Sequence, residues 1–115
     1  MKKQDTCRLL RGIITAIDQV ANLAGKYTYE NFCQDSKART MIAGYTHTIA
    51  AYGREIPTII RVKYLLVPWK ELDLLEETIS RADPTNNPRI LWMIGTGTLP
   101  QARLLLADML RDMER

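Results

Sequence analysis

The sequence has 115 residues, 46% hydrophobic and 25% charged, which is the make-up of an ordinary globular domain with room for one core and no need of staples. Its net charge of +3 tolerates an RNA partner without demanding one, because Arg8, Arg39, Arg61, Arg81, Arg103 and the other cations are scattered rather than massed. No run approaches a membrane span and no apolar leader follows Met1, so a cytoplasmic protein without membrane contact is expected.

Helical periodicity dominates the chain. From about Thr6 to Ala24, Leu10, Ile13, Ile14, Ile17, Val20 and Ala21 recur at spacings of three and four, giving an amphipathic helix about 28 Å long, with Gly25 as a left-handed stop. Thr28 is placed to cap a short turn that carries Phe32. A second long helix starts at Asp35 or Ser36 and ends at Pro57, with Met41, Ile42, Tyr45, Ile49, Tyr52 and Ile56 as its apolar stripe. A further short turn runs from Pro57 to Tyr64. Pro68 opens a third long helix that buries Leu72, Leu75, Ile79 and Ala82, and the prolines and asparagines from Pro84 to Pro88 end it.

The run Arg89 to Ile94 is apolar almost all round. Gly95-Thr96-Gly97-Thr98 interrupts it, and a last helix from Pro100 turns Ala102, Leu105, Leu106, Met109 and Met113 inward. No window keeps the two-residue period of a strand. The expected architecture is one all-α domain over residues 1–115, an antiparallel up-and-down bundle of four to five helices.

Signatures of chemistry are sparse. Gly95-Thr96-Gly97-Thr98 lacks the preceding strand and following lysine of a phosphate loop, and reads as a helix interruption. Cys7 and Cys33 have no metal-ligand spacing and are expected to be free thiols, with neither metal nor cofactor implied. His47, the single histidine, lies on the face away from the apolar stripe, among Thr40, Ala43, Gly44, Ala51 and Arg54. The small residues there admit another helix, so this face is a candidate for dimer contact; acid–base work by His47 would need a second group converging on it. Glu77 and Arg81, four apart, form a helix-surface ion pair. The tryptophans and tyrosines occupy packing positions rather than a stacking platform for bases.

Tyr29-Glu30-Asn31-Phe32 after the first helix, Ile56-Pro57 closing the second, Pro68-Trp69-Lys70-Glu71-Leu72, Ile90-Leu91-Trp92 and Leu99-Pro100 follow one another in an order that resembles the HepT-like proteins of the HEPN superfamily. These are all-α, metal-independent ribonuclease toxins paired with a minimal nucleotidyltransferase antitoxin. The resemblance covers about Leu9 to Met109 and implies a homodimer with its cleft across the two-fold interface. The family's Arg-x4-His-x-Tyr signature falls, by position, on Glu76, Arg81 and Asp83, so none of its three side chains is kept. On the second helix, Gly44, His47 and Ala51 stand where the family carries an arginine and two acidic residues.

Glu76 would repel a scissile phosphate, and Arg81 stays protonated and shuttles no proton. The resemblance therefore implies a disarmed nuclease scaffold that binds protein or RNA as a homodimer. There, Glu76 and Arg81, about 140° apart on one helix, would pair between protomers. The alternative is a divergent metal-independent endoribonuclease toxin, neutralised by a nucleotidyltransferase antitoxin, that uses His47 and Arg81 with Glu76 or Asp83 as base. A third reading is a structural subunit of a larger assembly.

Overall fold

Three acidic or strongly helix-forming residues, Lys3-Gln4-Asp5, let the first helix begin ahead of Thr6, since an acidic side chain in the first turn complements the free N–H groups there. The computed structural model describes residues 2–82 and 87–115, with the side chain of residue 82 left out. In it α1 spans Lys3–Ala24 and buries Leu9, Leu10, Ile13, Ile17 and Val20. Gly25 has φ −63° and so supplies no left-handed stop; the chain leaves instead through tight turns, with Lys26 and Tyr27 N–H donating to the carbonyls of Leu23 and Ala24.

The short α2 (Tyr29–Cys33) is capped by Thr28, whose hydroxyl accepts from the Asn31 N–H, and it plants Phe32 in the core. Its far end is held by the buried Arg39, which donates to the carbonyls of Phe32 and Cys33. Asp35 caps α3 (Ser36–Arg54) by accepting from the Ala38 N–H at 3.0 Å, and its second oxygen takes the Tyr27 hydroxyl.

The buried stripe of α3 is Ala38, Ile42, Thr46, Ile49, Ala50 and Gly53. Met41 and Tyr52, expected inside, lie at the surface. The stripe is rotated away from them because α1 packs along the Ala38–Gly53 face. Tyr52 then lies across α1 at Gly12, where an added Cβ would stand 2.5 Å from a ring carbon. Only a residue with no side chain lets that ring settle.

After Pro57, α4 (Thr58–Arg61) makes a single turn. The third long helix has a one-residue break at Leu74, giving α5 (Trp69–Asp73) and α6 (Leu75–Ala82). Leu72, Leu75 and Ile79 are buried as the periodicity requires; the predicted inward side chain of residue 82 and most of the stop that follows lie outside the described residues.

The glycine-threonine run does not break the chain. Between α7 (Pro88–Met93) and α8 (Leu99–Glu114), residues Ile94–Thr98 form a π-helical turn, so that 88–114 is one helix with a widened turn. Pro100 supplies the reason, since it cannot donate back along the helix and its ring crowds the preceding carbonyls, both of which a wider turn relieves. Gly95 brings this turn against α1, with an added Cβ only 3.1 Å from Val20.

The α1–α3 and α1–α8 pairs enclose the core, and a bidentate Arg103–Asp18 pair (2.5 and 3.1 Å) ties α8 to α1 outside it. The described residues contain no strand, and the fold is an all-α helical bundle. No helix among them is long and apolar enough to cross a membrane. Cys7 and Cys33 are free, the first buried.

Candidate functional site: the groove between the second and third long helices

His47 and Arg54 are seven residues apart on α3, two turns along the same face. Thr40, Ala43 and Gly44 continue that face toward the helix start, and their small side chains leave an open groove of about 820 Å³ against α6. Its other wall is Glu76, Glu77 and Ser80, over a floor that includes Ile79.

Glu76, in the first turn of α6, reaches across this groove and bridges the imidazole and the guanidinium on α3. One carboxylate oxygen meets His47 Nδ1, and the other accepts from Arg54 Nη1 at 2.5 Å. The Glu76 side chain is 30% exposed, whereas His47 and Arg54 project further into solvent. The Arg54 hydrogen bond, with the charges of Arg54 and His47 behind it, holds the Glu76 carboxyl below the usual carboxylate range against a smaller opposing effect of burial. It is therefore an anion at neutral pH. With Nδ1 engaged, Nε2 is the ring nitrogen of His47 left for other work.

The sequence positions are thus brought together only in part. Glu76 and His47 meet directly. Arg81 does not join them: it pairs with Glu77 at 2.5 Å, the i,i+4 pair foreseen from spacing. Within this chain Glu76 and Arg81 are thus engaged with different partners. Asp83 lies outside the described residues. Gly44 lines the groove, and no heavy atom would meet a Cβ there.

Spacing places Arg54 on the His47 face but gives it no role in the site. Its signal was available, since it repeats the His47 face two turns on. The carboxylate lies 22 residues further along the chain, a distance over which no helical spacing speaks. The aromatic residues behave as packing groups: Trp92 sits against Phe32 and Tyr29, with ring centroids 5.2 and 5.9 Å away. Trp69 donates its indole N–H to the Tyr64 carbonyl at 3.0 Å. Among the described residues no three His, Cys, Asp or Glu side chains converge as metal ligands.

Fold and site together define an all-α bundle that carries an imidazole–carboxylate–guanidinium cluster at the wall of an open groove. Over nearly its whole length the chain is similar to three proteins of Methanocaldococcus jannaschii. It is 22% identical over 114 residues to each of Putative RNase MJ0127, Putative RNase MJ0125 and Putative RNase MJ1216, covering 99% of this chain and 94%, 98% and 94% of theirs. No family model matches the chain, and no solved structure matches it significantly.

Proposed function

We propose that residues 1–115 form a single HepT-like domain of the HEPN superfamily that is cytoplasmic, does not cleave RNA, and acts as a homodimer by binding. Its occupant is a minimal nucleotidyltransferase-like protein or RNA held uncut. The full-length similarity to proteins named as ribonucleases supports the ancestry. One observation carries the loss of activity: the Glu76 carboxylate takes hold of both His47 and Arg54.

Metal-independent RNA cleavage needs a group that moves the 2′-hydroxyl proton and an uncommitted cation for the phosphorane charge. Here an ionised carboxylate stands where that cation is needed. It repels the scissile phosphate and occupies both neighbouring side chains. Arg81, at the position of the family's histidine, is bound to Glu77 and carries a proton it does not give up.

An RNA-cleavage assay on purified, partner-free protein, with and without chelator, tests this. The unaltered protein is expected to be silent, and a variant combining Glu76→Arg, Arg81→His and Asp83→Tyr to cut. Cleavage by the unaltered protein that vanishes in His47→Ala would overturn the reading.

That outcome would instead establish a divergent endoribonuclease toxin neutralised by a nucleotidyltransferase antitoxin. The His47–Glu76 contact is the observation that favours it, since a carboxylate on Nδ1 orients an imidazole and leaves Nε2 to exchange a proton with substrate. One histidine per chain supplies one such group, and a two-fold dimer would supply the second.

A further inference from the structure

Glu76 is shared by two α3 side chains, and the sharing fixes where the proton of His47 sits. A carboxylate only accepts, so the ring places its N–H at Nδ1, toward Glu76 Oε1. In the neutral imidazole Nε2 then carries a bare lone pair. The ring lines the groove and is largely in water.

A phosphodiester oxygen is also purely an acceptor. Against neutral His47 it would face lone pair to lone pair. Once the ring takes up a proton, Nε2 becomes a cationic donor while Nδ1 keeps its hold on Glu76. The charge of the cluster changes with it. With the ring neutral, the Glu76 anion and the Arg54 cation cancel; with the ring protonated, the three groups are net positive. Arg54 gives Glu76 a single Nη1 hydrogen bond, which leaves further guanidinium donors for the same phosphate.

No other described side chain at the groove makes this change. Imidazole is the side chain whose ordinary charge change falls between about pH 5 and 8, and His47 is the single histidine. On α6, Glu77 is balanced by Arg81, and the rest of the lining (Thr40, Ala43, Gly44, Ile79 and Ser80) carries no charge. Asp73 of α5 is held by Arg61 of α4. The other elements packed on α3, namely α1, α2 and α7, send no described side chain to the lining.

We infer that the His47–Glu76–Arg54 cluster is a proton-linked phosphate site, which takes hold of an RNA phosphodiester as Nε2 of His47 gains a proton from solvent. Glu76 is its positioning residue, since it holds the ring so that the neutral form has no donor to offer. The inference rests on the reading above in which RNA is held uncut, and adds that acid tightens the hold.

The probe is an oligo-uridine, whose bases do not titrate near neutral pH. The readouts are its affinity for the full chain and the NMR titration of the single imidazole. Affinity should rise roughly tenfold from about pH 7.5 to about pH 5.5, and the ring's titration midpoint should climb when oligo-uridine is added. His47→Gln should bind with one affinity across that range. Glu76→Gln should flatten the dependence from the other side, with binding at neutral pH rising toward the acid value, because an amide can donate to Nδ1 and leave the neutral ring its N–H at Nε2. Equal affinity at both ends, or a dependence that survives His47→Gln, overturns the inference and leaves RNA binding standing. Inorganic phosphate that moves the midpoint as far as oligo-uridine overturns RNA as the source of the phosphate. No binding at either end, or cleavage of the oligonucleotide, removes the underlying reading as well.

Discussion

Two carboxylates three residues apart on the third long helix reach back to the region of α3, and they meet different fates. Asp73 receives both Nη atoms of Arg61 at 2.7 and 2.9 Å. The same guanidinium donates to the carbonyls of Gly53 and Ile56 and lies 4.9 Å over the Trp69 ring. Glu76 receives one atom each from His47 and Arg54, and among the described residues neither side chain bonds the backbone. Arg61 is only 15% exposed and spends its donors on the chain's own carbonyls. The Glu76 cluster stands at an open groove with Nε2 and further guanidinium donors to spare. Ion pairing between the same two regions of chain thus builds structure in one place and leaves a reactive surface in the other. What separates them is whether backbone acceptors saturate the cation.

Arg61→Ala should give the largest effect. It strands the Gly53 and Ile56 carbonyls and the Asp73 carboxylate together, at a cost of about 2–3 kcal/mol, read as a lower urea midpoint. Arg54→Ala should move that midpoint far less; equal losses would erase the distinction drawn above. Next comes Tyr64, whose phenol is pushed up to about 12 chiefly by its hydrogen bond to Asp112, with burial adding to it. A raised phenol pKa stabilises the fold fully below the ordinary tyrosine value and ceases to do so as pH climbs from there through about 12. An ultraviolet titration should therefore show Tyr64 ionising late, as does Tyr27 through its hydrogen bond to Asp35; only the Tyr64 phenol should revert in Asp112→Asn, and Tyr64→Phe should remove that alkaline stability.

Glu76→Gln tests the open cluster. Stability at neutral pH should change little, while affinity for a single-stranded RNA oligonucleotide should rise several-fold and become more salt-sensitive as His47 and Arg54 are uncovered. Unchanged RNA affinity would mean that the carboxylate was not masking them. The smallest effect is in acid. Because its folded pKa is lowered, Glu76 contributes above the ordinary glutamate value and loses that contribution as pH falls through the lowered one. The small gap between wild-type and Glu76→Gln urea midpoints should close in that window.

Much of the scaffold was legible because local chemistry decides it. Thr28 and Asp35 cap the helices they precede, Pro57 closes α3, and Glu77 finds Arg81 one turn away. The small residues around His47 line an open groove against α6. What stayed hidden was tertiary. Neither Arg61 at the end of α4 nor Arg54 at the groove announces its carboxylate, because the partners belong to separate helices whose relative placement the core determines. Met41 and Tyr52 were misjudged for the same reason, since packing against α1 turned the stripe past them. The Gly-Thr-Gly-Thr run misled in another way: glycine and proline read as punctuation, yet here they accommodate a continuing helix.

That widened turn has a consequence for phase. An α-helix presents a residue to the same neighbour every three or four positions, and one extra residue per turn shifts the count by about 100°. Ahead of Ile94, the helix shows its apolar side to α2 and α3; beyond Thr98 it shows it to α1. One helix thereby serves two walls of the bundle. Removing a single residue between Ile94 and Thr98 would bring both halves into one phase, and Leu106 and Met109 would rotate out of the core while Leu91 stayed in it.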